Sequence, residues 1–313
     1  MKHTRHIFDG ARAGQKIAAN VYQSTAPDAT GRGITLLLTH ANGFHKELWE
    51  PVLEQIFSAQ ATRSWHVTRA IAMDWWNQGD SAALNPDMPG GPLHARWFDY
   101  ARDILAVVRQ LGVRKNLIGI GHSWGAANLQ LAEIMSPLTF AGLFLVEPAT
   151  PTEITPEQSE SLAAVVRKRR FQWKSMEDAH AHFENHSFAE SWNKRMLGLF
   201  IQHGLTHGDG QSMLKCLPGP EADGFAATAY GAPFIGRNLW RIQCPCVYLT
   251  GSESDKVTTE FIRDLIAPMP DCEHFVAQGR GHLLLHEDPD LTAAHCIKSL
   301  DKFAMKLGSI PKL

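Results

Sequence analysis

Along this chain, short apolar runs alternate with longer stretches in which apolar residues return every three or four positions. Residues 6–11 and 16–24, set around Gly10 and Gly14, predict an opening pair of strands with a turn between them. Gly33-Ile34-Thr35-Leu36-Leu37-Leu38-Thr39-His40 is an apolar run ending in a small-residue turn, and Leu48, Trp49, Val52, Leu53, Ile56 and Phe57 follow at helical spacing. The unit returns with residues 66–74 as a strand and Trp97, Phe98, Ala101, Ile104, Leu105 and Val108 as one helix face. It returns again with the run 116–120 and the helical stretch 126–133, and residues 140–146 read as a further strand. Such alternation predicts a mostly parallel sheet with helices on both faces, an α/β fold.

After Pro148 the rhythm changes. Residues 151–236 are helical, polar and rich in aromatics, with no convincing strand, and strands resume only at residues 246–249 and 274–277. Helices are expected near residues 259–266 and 291–305. The division this predicts is an α/β core from residues 1–150 and 237–313, with a helical insertion at 151–236. No internal repeat or low-complexity tract interrupts it.

Composition narrows the function classes. The 313 residues are 44% hydrophobic and 20% charged, as expected of a globular protein with a sizeable core. Thirty basic residues against thirty-two acidic ones leave a net charge of −2, which gives no electrostatic footprint for nucleic acid or an anionic membrane. The basic run Arg167-Lys168-Arg169-Arg170 reads first as a solvated helix face, with an anionic substrate or lipid surface as the alternative. Five cysteines, odd in number and in apolar surroundings, suit core thiols in a reducing compartment better than a disulfide framework. Residues 1–6 have no apolar stretch behind them, and no segment approaches a membrane span, so neither a secretory signal nor a membrane-spanning helix is expected.

The chemistry centres on Gly121-His122-Ser123-Trp124-Gly125, placed between the strand at 116–120 and the helix at 126–133. Strand, sharp turn and helix around a central serine form a nucleophile elbow, whose flanking positions must be Gly or very small so that strand and helix can approach. Ser123 would stand at the carboxyl end of a strand, with a helix N-terminus behind it to favour developing negative charge. The turn His40-Ala41-Asn42-Gly43-Phe44-His45 leaves a neighbouring strand, and the backbone amides of Asn42 and Trp124 are the expected oxyanion donors. His40 is expected to brace that loop.

A serine hydroxyl needs an adjacent base. His282, in Gly279-Arg280-Gly281-His282 after the last strand, is the expected base among sixteen histidines, with His286 the weaker competitor. His180, His182 and His186 raise the question of a metal, but on a helix the first two point to nearly opposite sides. Gly119, Gly121 and Gly125 make no dinucleotide fingerprint, and no phosphate-cradling loop occurs, so no cofactor and no metal is expected.

On these motifs the chain resembles the α/β-hydrolases with a helical cap, nearly end to end. The residues that carry the resemblance are Gly121–Gly125, His40–Phe44, the loop Asp74-Trp75-Trp76-Asn77-Gln78-Gly79-Asp80-Ser81 and Gly281-His282. The similarity is greatest to the lipase- and esterase-like branch, including fungal peroxisomal lipase-like and toxin-biosynthesis hydrolases. It implies Ser–acid–His chemistry and a pocket between core and cap, without fixing one substrate. The family usually places its acid three residues after the glycine that ends the seventh strand. Here that count from Gly251 lands on Ser254, and Asp255 is displaced by one. The other candidate is Glu147, where Phe144-Leu145-Val146 runs into Glu147-Pro148, because a carboxylate ending so apolar a strand needs a partner such as His282. Glu147 is the first choice and Asp255 the alternative.

The expected function is cleavage of an ester or thioester of a small acyl or lipid-like substrate through an acyl-serine intermediate. The alternatives are carbon–carbon bond hydrolysis of a diketone-like substrate and a ligand-binding protein on a hydrolase scaffold. Epoxide hydrolysis and dehalogenation are disfavoured, since both need a carboxylate at position 123. The sequence ends Pro311-Lys312-Leu313, similar to the S-K-L peroxisomal signal, so a peroxisomal location with an import receptor as partner is expected and cytoplasm is the alternative.

Overall fold

The computed structural model describes residues 2–28, 33–91, 93–113, 115–208 and 210–309. Among these residues the strands are β1 (His3–Asp9), β2 (Lys16–Gln23), β3 (Ile34–Thr39), β4 (Val67–Met73), β5 (Leu117–His122), β6 (Gly142–Val146), β7 (Gln172–Trp173), β8 (Leu205–Gly208), β9 (Gln211–Leu214), β10 (Cys246–Gly251) and β11 (Cys272–Ala277). Eight of them form one sheet in the order β1-β2-β4-β3-β5-β6-β10-β11. β2 pairs antiparallel with β1 and β4, and the other pairs are parallel. The predicted α/β architecture is therefore present.

Residues alternate between the two faces of this sheet. Leu36, Leu38, Ile118, Ile120 and Val247 enter one apolar cluster with Val52 and Ile56 of α1 (Glu50–Ala59). Leu37, Leu117, Leu143 and Tyr248 enter the other, with Ile104 and Val107. Both faces are covered, which is why these strands read as continuous apolar runs rather than alternating ones. α2 (Gly79–Ala82) is a single turn, and α3 (Trp97–Leu111) packs on α4 (Trp124–Met135). α3 stops at Gly112, whose φ of 65° supplies the left-handed C-cap.

Between β6 and β10 run α5 (Pro156–Arg167), α6 (Met176–Glu184), α7 (Lys194–Gly204), α8 (Pro218–Ala226) and α9 (Ala232–Asn238). Thr155 caps α5 in a reciprocal box with Gln158. The expectation that this segment holds no strand is corrected: β7, β9 and β8 form a three-stranded antiparallel sheet. The strands are two to four residues long and mostly exposed, so they leave no apolar alternation to read. The chain then continues through α10 (Thr259–Ile266), α11 (Leu284–Glu287) and α12 (Pro289–Ser309), and α12 packs on α1.

Register decides what meets at the sheet's end. Thr39 pairs with Gly121, His122 with Val146, and Val146 with Leu249. The loop after β3, the turn after β5, the residue after β6 and the loop after β10 therefore leave the sheet side by side, at the carboxyl ends where ligands of such sheets bind.

Candidate active site

Ser123 occupies the turn between β5 and α4 with φ 52° and ψ −114°. A left-handed conformation at a residue with a side chain costs about 1–3 kcal/mol, so the surroundings must hold it. Its amide donates to the Val146 carbonyl at 2.8 Å and its carbonyl accepts from Ala127 N at 3.0 Å. Strand and helix meet so closely that a Cβ on Gly121 would lie 2.6 Å from Ala126 N, and one on Gly125 would lie 2.5 Å from the Thr39 carbonyl. Glycine at these positions is a packing requirement.

The structure brings Ser123, His282 and Glu147 together. Ser123 Oγ lies 2.9 Å from His282 Nε2, and His282 Nδ1 lies 2.8 Å from Glu147 Oε2. Glu147 is fully buried and has φ 51°, a second strained residue at the same place. Gly251 N donates to its Oε1 at 2.6 Å and Ser254 Oγ donates to its Oε2 at 2.6 Å. Three groups, His282, Gly251 and Ser254, thus share one buried carboxylate and satisfy it without solvent. Asp255 is exposed instead and pairs with Lys256 at 2.6 Å. The serine at the position where the family usually keeps its acid serves the carboxylate of the neighbouring strand, a role the sequence reading did not assign to Ser254.

The neighbouring histidines fall elsewhere. His286 is buried, with its ring 4.4 Å from that of Trp192 and 4.5 Å from that of Phe44, away from the Ser123 hydroxyl. His122 Nε2 lies 3.0 Å from the His282 carbonyl and steadies the segment that carries it. Burial, then the nearby His282, push the His122 imidazole down to about 3, so it is a neutral donor. His40 is buried, its Nδ1 2.7 Å from the Ala41 carbonyl, and burial likewise pushes it down to about 3.

Asn42 and Trp124 line the same cavity as Ser123. Gln78 holds the loop around Asn42: its Nε2 donates to Asn42 Oδ1 at 2.6 Å and its Oε1 accepts from Gly43 N at 2.9 Å. Asn42 Nδ2 donates in turn to the Glu221 carbonyl on α8 at 2.9 Å. Both ends of the Asn42 side chain are engaged, which holds its backbone in place. Behind it lies a buried ion cluster: Lys46 Nζ reaches Glu47 at 2.7 Å and both Asp74 and Asp80 at 2.8 Å. Burial opposes the charge on Lys46, but Asp74, Glu47 and Asp80 outweigh it and hold the ammonium above its ordinary pKa. Lys215 of the inserted segment also reaches Asp80, at 2.7 Å, tying that segment to the loop. Neither Gln78 nor Lys46 was assigned a role from sequence.

The cavity has a volume of about 660 Å³ and an apolar wall that includes Phe44, Trp97, Ile154, Leu162, Phe188 and Phe225. Of the inserted segment's other aromatics, Trp173, Phe183 and Trp192 are buried in the core cluster that contains Phe44, and Phe171 is exposed. His182 and His186 pack ring to ring at 5.0 Å, and among the described residues no group of three or more His, Cys, Asp or Glu could hold a metal ion. No helix of the described residues is long and apolar enough to cross a membrane.

An eight-stranded, mostly parallel sheet with a strained serine after a central strand defines the α/β-hydrolase class. The chain belongs to the Alpha/beta hydrolase family, whose profile matches residues 36–295. Among individual proteins, it is 23% identical over 318 residues to the peroxisomal membrane protein LPX1 of Saccharomyces cerevisiae, covering 93% of this chain and 81% of that one. The crystal structure of Lpx1, a peroxisomal alpha-beta-hydrolase, superposes with a TM-score of 0.83 at 22% identity, over 100% of this chain and 92% of the other. The type I acyl-CoA thioesterase mpaH of Penicillium brevicompactum is 30% identical over 117 residues, a stretch that is 37% of this chain and 26% of the thioesterase. The thioesterase domain from the curacin biosynthetic pathway has a TM-score of 0.72 at 16% identity, over 96% of this chain and 100% of that domain.

Proposed function

We propose that this hydrolase cleaves an ester or thioester of a small acyl or lipid-like substrate through an acyl-serine intermediate. The single observation that carries the reading is the unbroken relay Ser123 Oγ to His282 Nε2 and His282 Nδ1 to Glu147, at 2.9 and 2.8 Å. With Nδ1–H donating to Glu147, Nε2 is left to accept the Ser123 proton as Oγ attacks the acyl carbon. The amides of Asn42 and Trp124 hold the tetrahedral oxyanion. His282 then returns its proton to the departing alcohol or thiol, and water, activated in the same way, releases the acid. The inserted segment 151–236 acts as a cap on the core of residues 1–150 and 237–313, and Leu162, Phe188 and Phe225 from it shape the apolar pocket.

A fluorophosphonate serine probe tests this directly. Labelling is expected at Ser123, with hydrolysis of short acyl esters or thioesters by the same preparation. No labelling of folded protein would reject the reading in favour of a binding protein on a hydrolase scaffold.

A peroxisomal address belongs to the same proposal, supported by the yeast relative's name and by Pro311-Lys312-Leu313, which lie outside the described residues. A fluorescent fusion at the N-terminus should be punctate and should disperse when residues 311–313 are deleted. Diffuse signal from the intact fusion would favour the cytoplasm.

A further inference from the structure

The lining of the Ser123 cavity is mostly apolar, with Asn42, Thr150, Thr228 and Thr258 among it, and one of the two charged pairs it carries is Arg169, just after α5, with Glu221, on α8. The other charged pair on its lining, Asp255 and Lys256, is solvent-exposed and satisfied within itself at 2.6 Å. Glu221 is only 5% exposed, and its carboxylate faces Gly43, where a Cβ would lie 2.6 Å from Oε1. Arg169 Nη1 donates to Glu221 Oε1 at 3.2 Å, and Nη2 contacts Oε2 more closely. The guanidinium is not used up by this pair: among the described residues its buried Nε–H has no acceptor.

An ion pair with its carboxylate buried is a poor stabiliser, and apolar side chains of similar volume would make a better wall for a plain acyl chain. A guanidinium with a spare donor, in contrast, is the group that recognises carboxylates through parallel N–H···O bonds. On the hydrolase reading above, we propose that the substrate is an ester or thioester whose acyl part ends in a second, free carboxylate, and that Arg169 binds that carboxylate beside Glu221.

Two carboxylates on one guanidinium would repel each other unless one is neutral. Glu221 is suited to that: burial raises its carboxyl to about 7 although Arg169 pulls it down, so taking up a proton near neutral pH is easy. A protonated Glu221 donates a hydrogen bond to the incoming group. The other groups near it do not interfere, since the buried Cys216 thiol is held well above its ordinary pKa and Asp223, on the same helix, accepts from Gly91 N at 2.8 Å. Nearby Lys215 is engaged by Asp80.

The test compares kcat/KM for p-nitrophenyl esters of simple acids with those of dicarboxylic half-acids of matching length, across a graded series. Wild type should favour a half-acid ester by about ten- to a hundredfold at the best length, the size expected of charged hydrogen bonds. Arg169→Gln should bring that ratio close to one. Glu221→Gln should raise it, because the guanidinium loses its internal competitor. Arg169→Gln strands Glu221, so the double variant Arg169→Gln/Glu221→Gln, which buries no lone charge, serves if the single one does not fold. A ratio near one in wild type, or one unchanged in the double variant, overturns the inference. Serine-probe labelling of the same preparations separates the two failures: labelled protein without discrimination rejects only the role of Arg169, whereas unlabelled protein rejects the hydrolase reading beneath it.

Discussion

Ser123→Ala should lower turnover of any accepted ester by roughly 10⁴–10⁶, because the members of a serine relay act as a unit and the rest cannot supply the missing nucleophile. The fold should survive. Among the described residues the only side-chain hydrogen bond at stake is the one to His282 Nε2, and the amide and carbonyl of residue 123 keep their backbone partners Val146 and Ala127. Alanine meets the same left-handed strain that serine does, so the difference in stability should stay within about 0.5–1 kcal/mol. Single-turnover kinetics beside a thermal melt check both halves. A rate near that of wild type would remove Ser123 from the mechanism.

Much of this arrangement could be read from local text. The strands buried on both faces, Ile34–Thr39 and Leu117–His122, announce themselves as apolar runs. The elbow is legible because Gly121 answers to a contact with a near neighbour in sequence, Ala126, even though Gly125 answers to the distant Thr39 carbonyl. What joins distant residues was less legible. Glu147 could be suspected only because a carboxylate at the end of an apolar strand needs a partner, and its selection over Asp255 depends on β6 lying between β5 and β10. Ser254 was visible as a serine in an acid's place, but its bond to Glu147 spans 107 residues. Lys46 gave no sign at all. Its burial depends on Asp74 and Asp80, which reach it only through the pairing of β3 with β4. The small sheet of the inserted segment failed to register for a different reason, since strands this short rely on their hairpin more than on apolar alternation. The pair Asp209-Gly210 between Leu205–Gly208 and Gln211–Leu214 is such a hairpin signal.

Glu147→Gln separates the orienting role of the carboxylate from its bulk. Glutamine fits the same space, but it replaces one acceptor oxygen with an NH₂ group. Gly251 N–H can only donate, so it will claim the remaining oxygen, and the NH₂ must then face Ser254 Oγ and His282 Nδ1. Ser254 adapts by rotating its hydroxyl. His282 adapts by taking the other tautomer, with its proton on Nε2, where it donates toward Ser123 rather than accepting from it. Wrong-tautomer imidazole in a triad of this kind lowers kcat by about 10⁴, so a loss on the order of 10³–10⁴ is expected. Stability should fall by only about 1 kcal/mol, because the one buried donor that loses its acceptor is the Ser254 hydroxyl. Asp255→Asn should leave kcat within about twofold, since an exposed pair of this sort contributes little. The same assay on both variants decides the matter: a large loss in Asp255→Asn with near-normal turnover in Glu147→Gln would return the orienting role to Asp255.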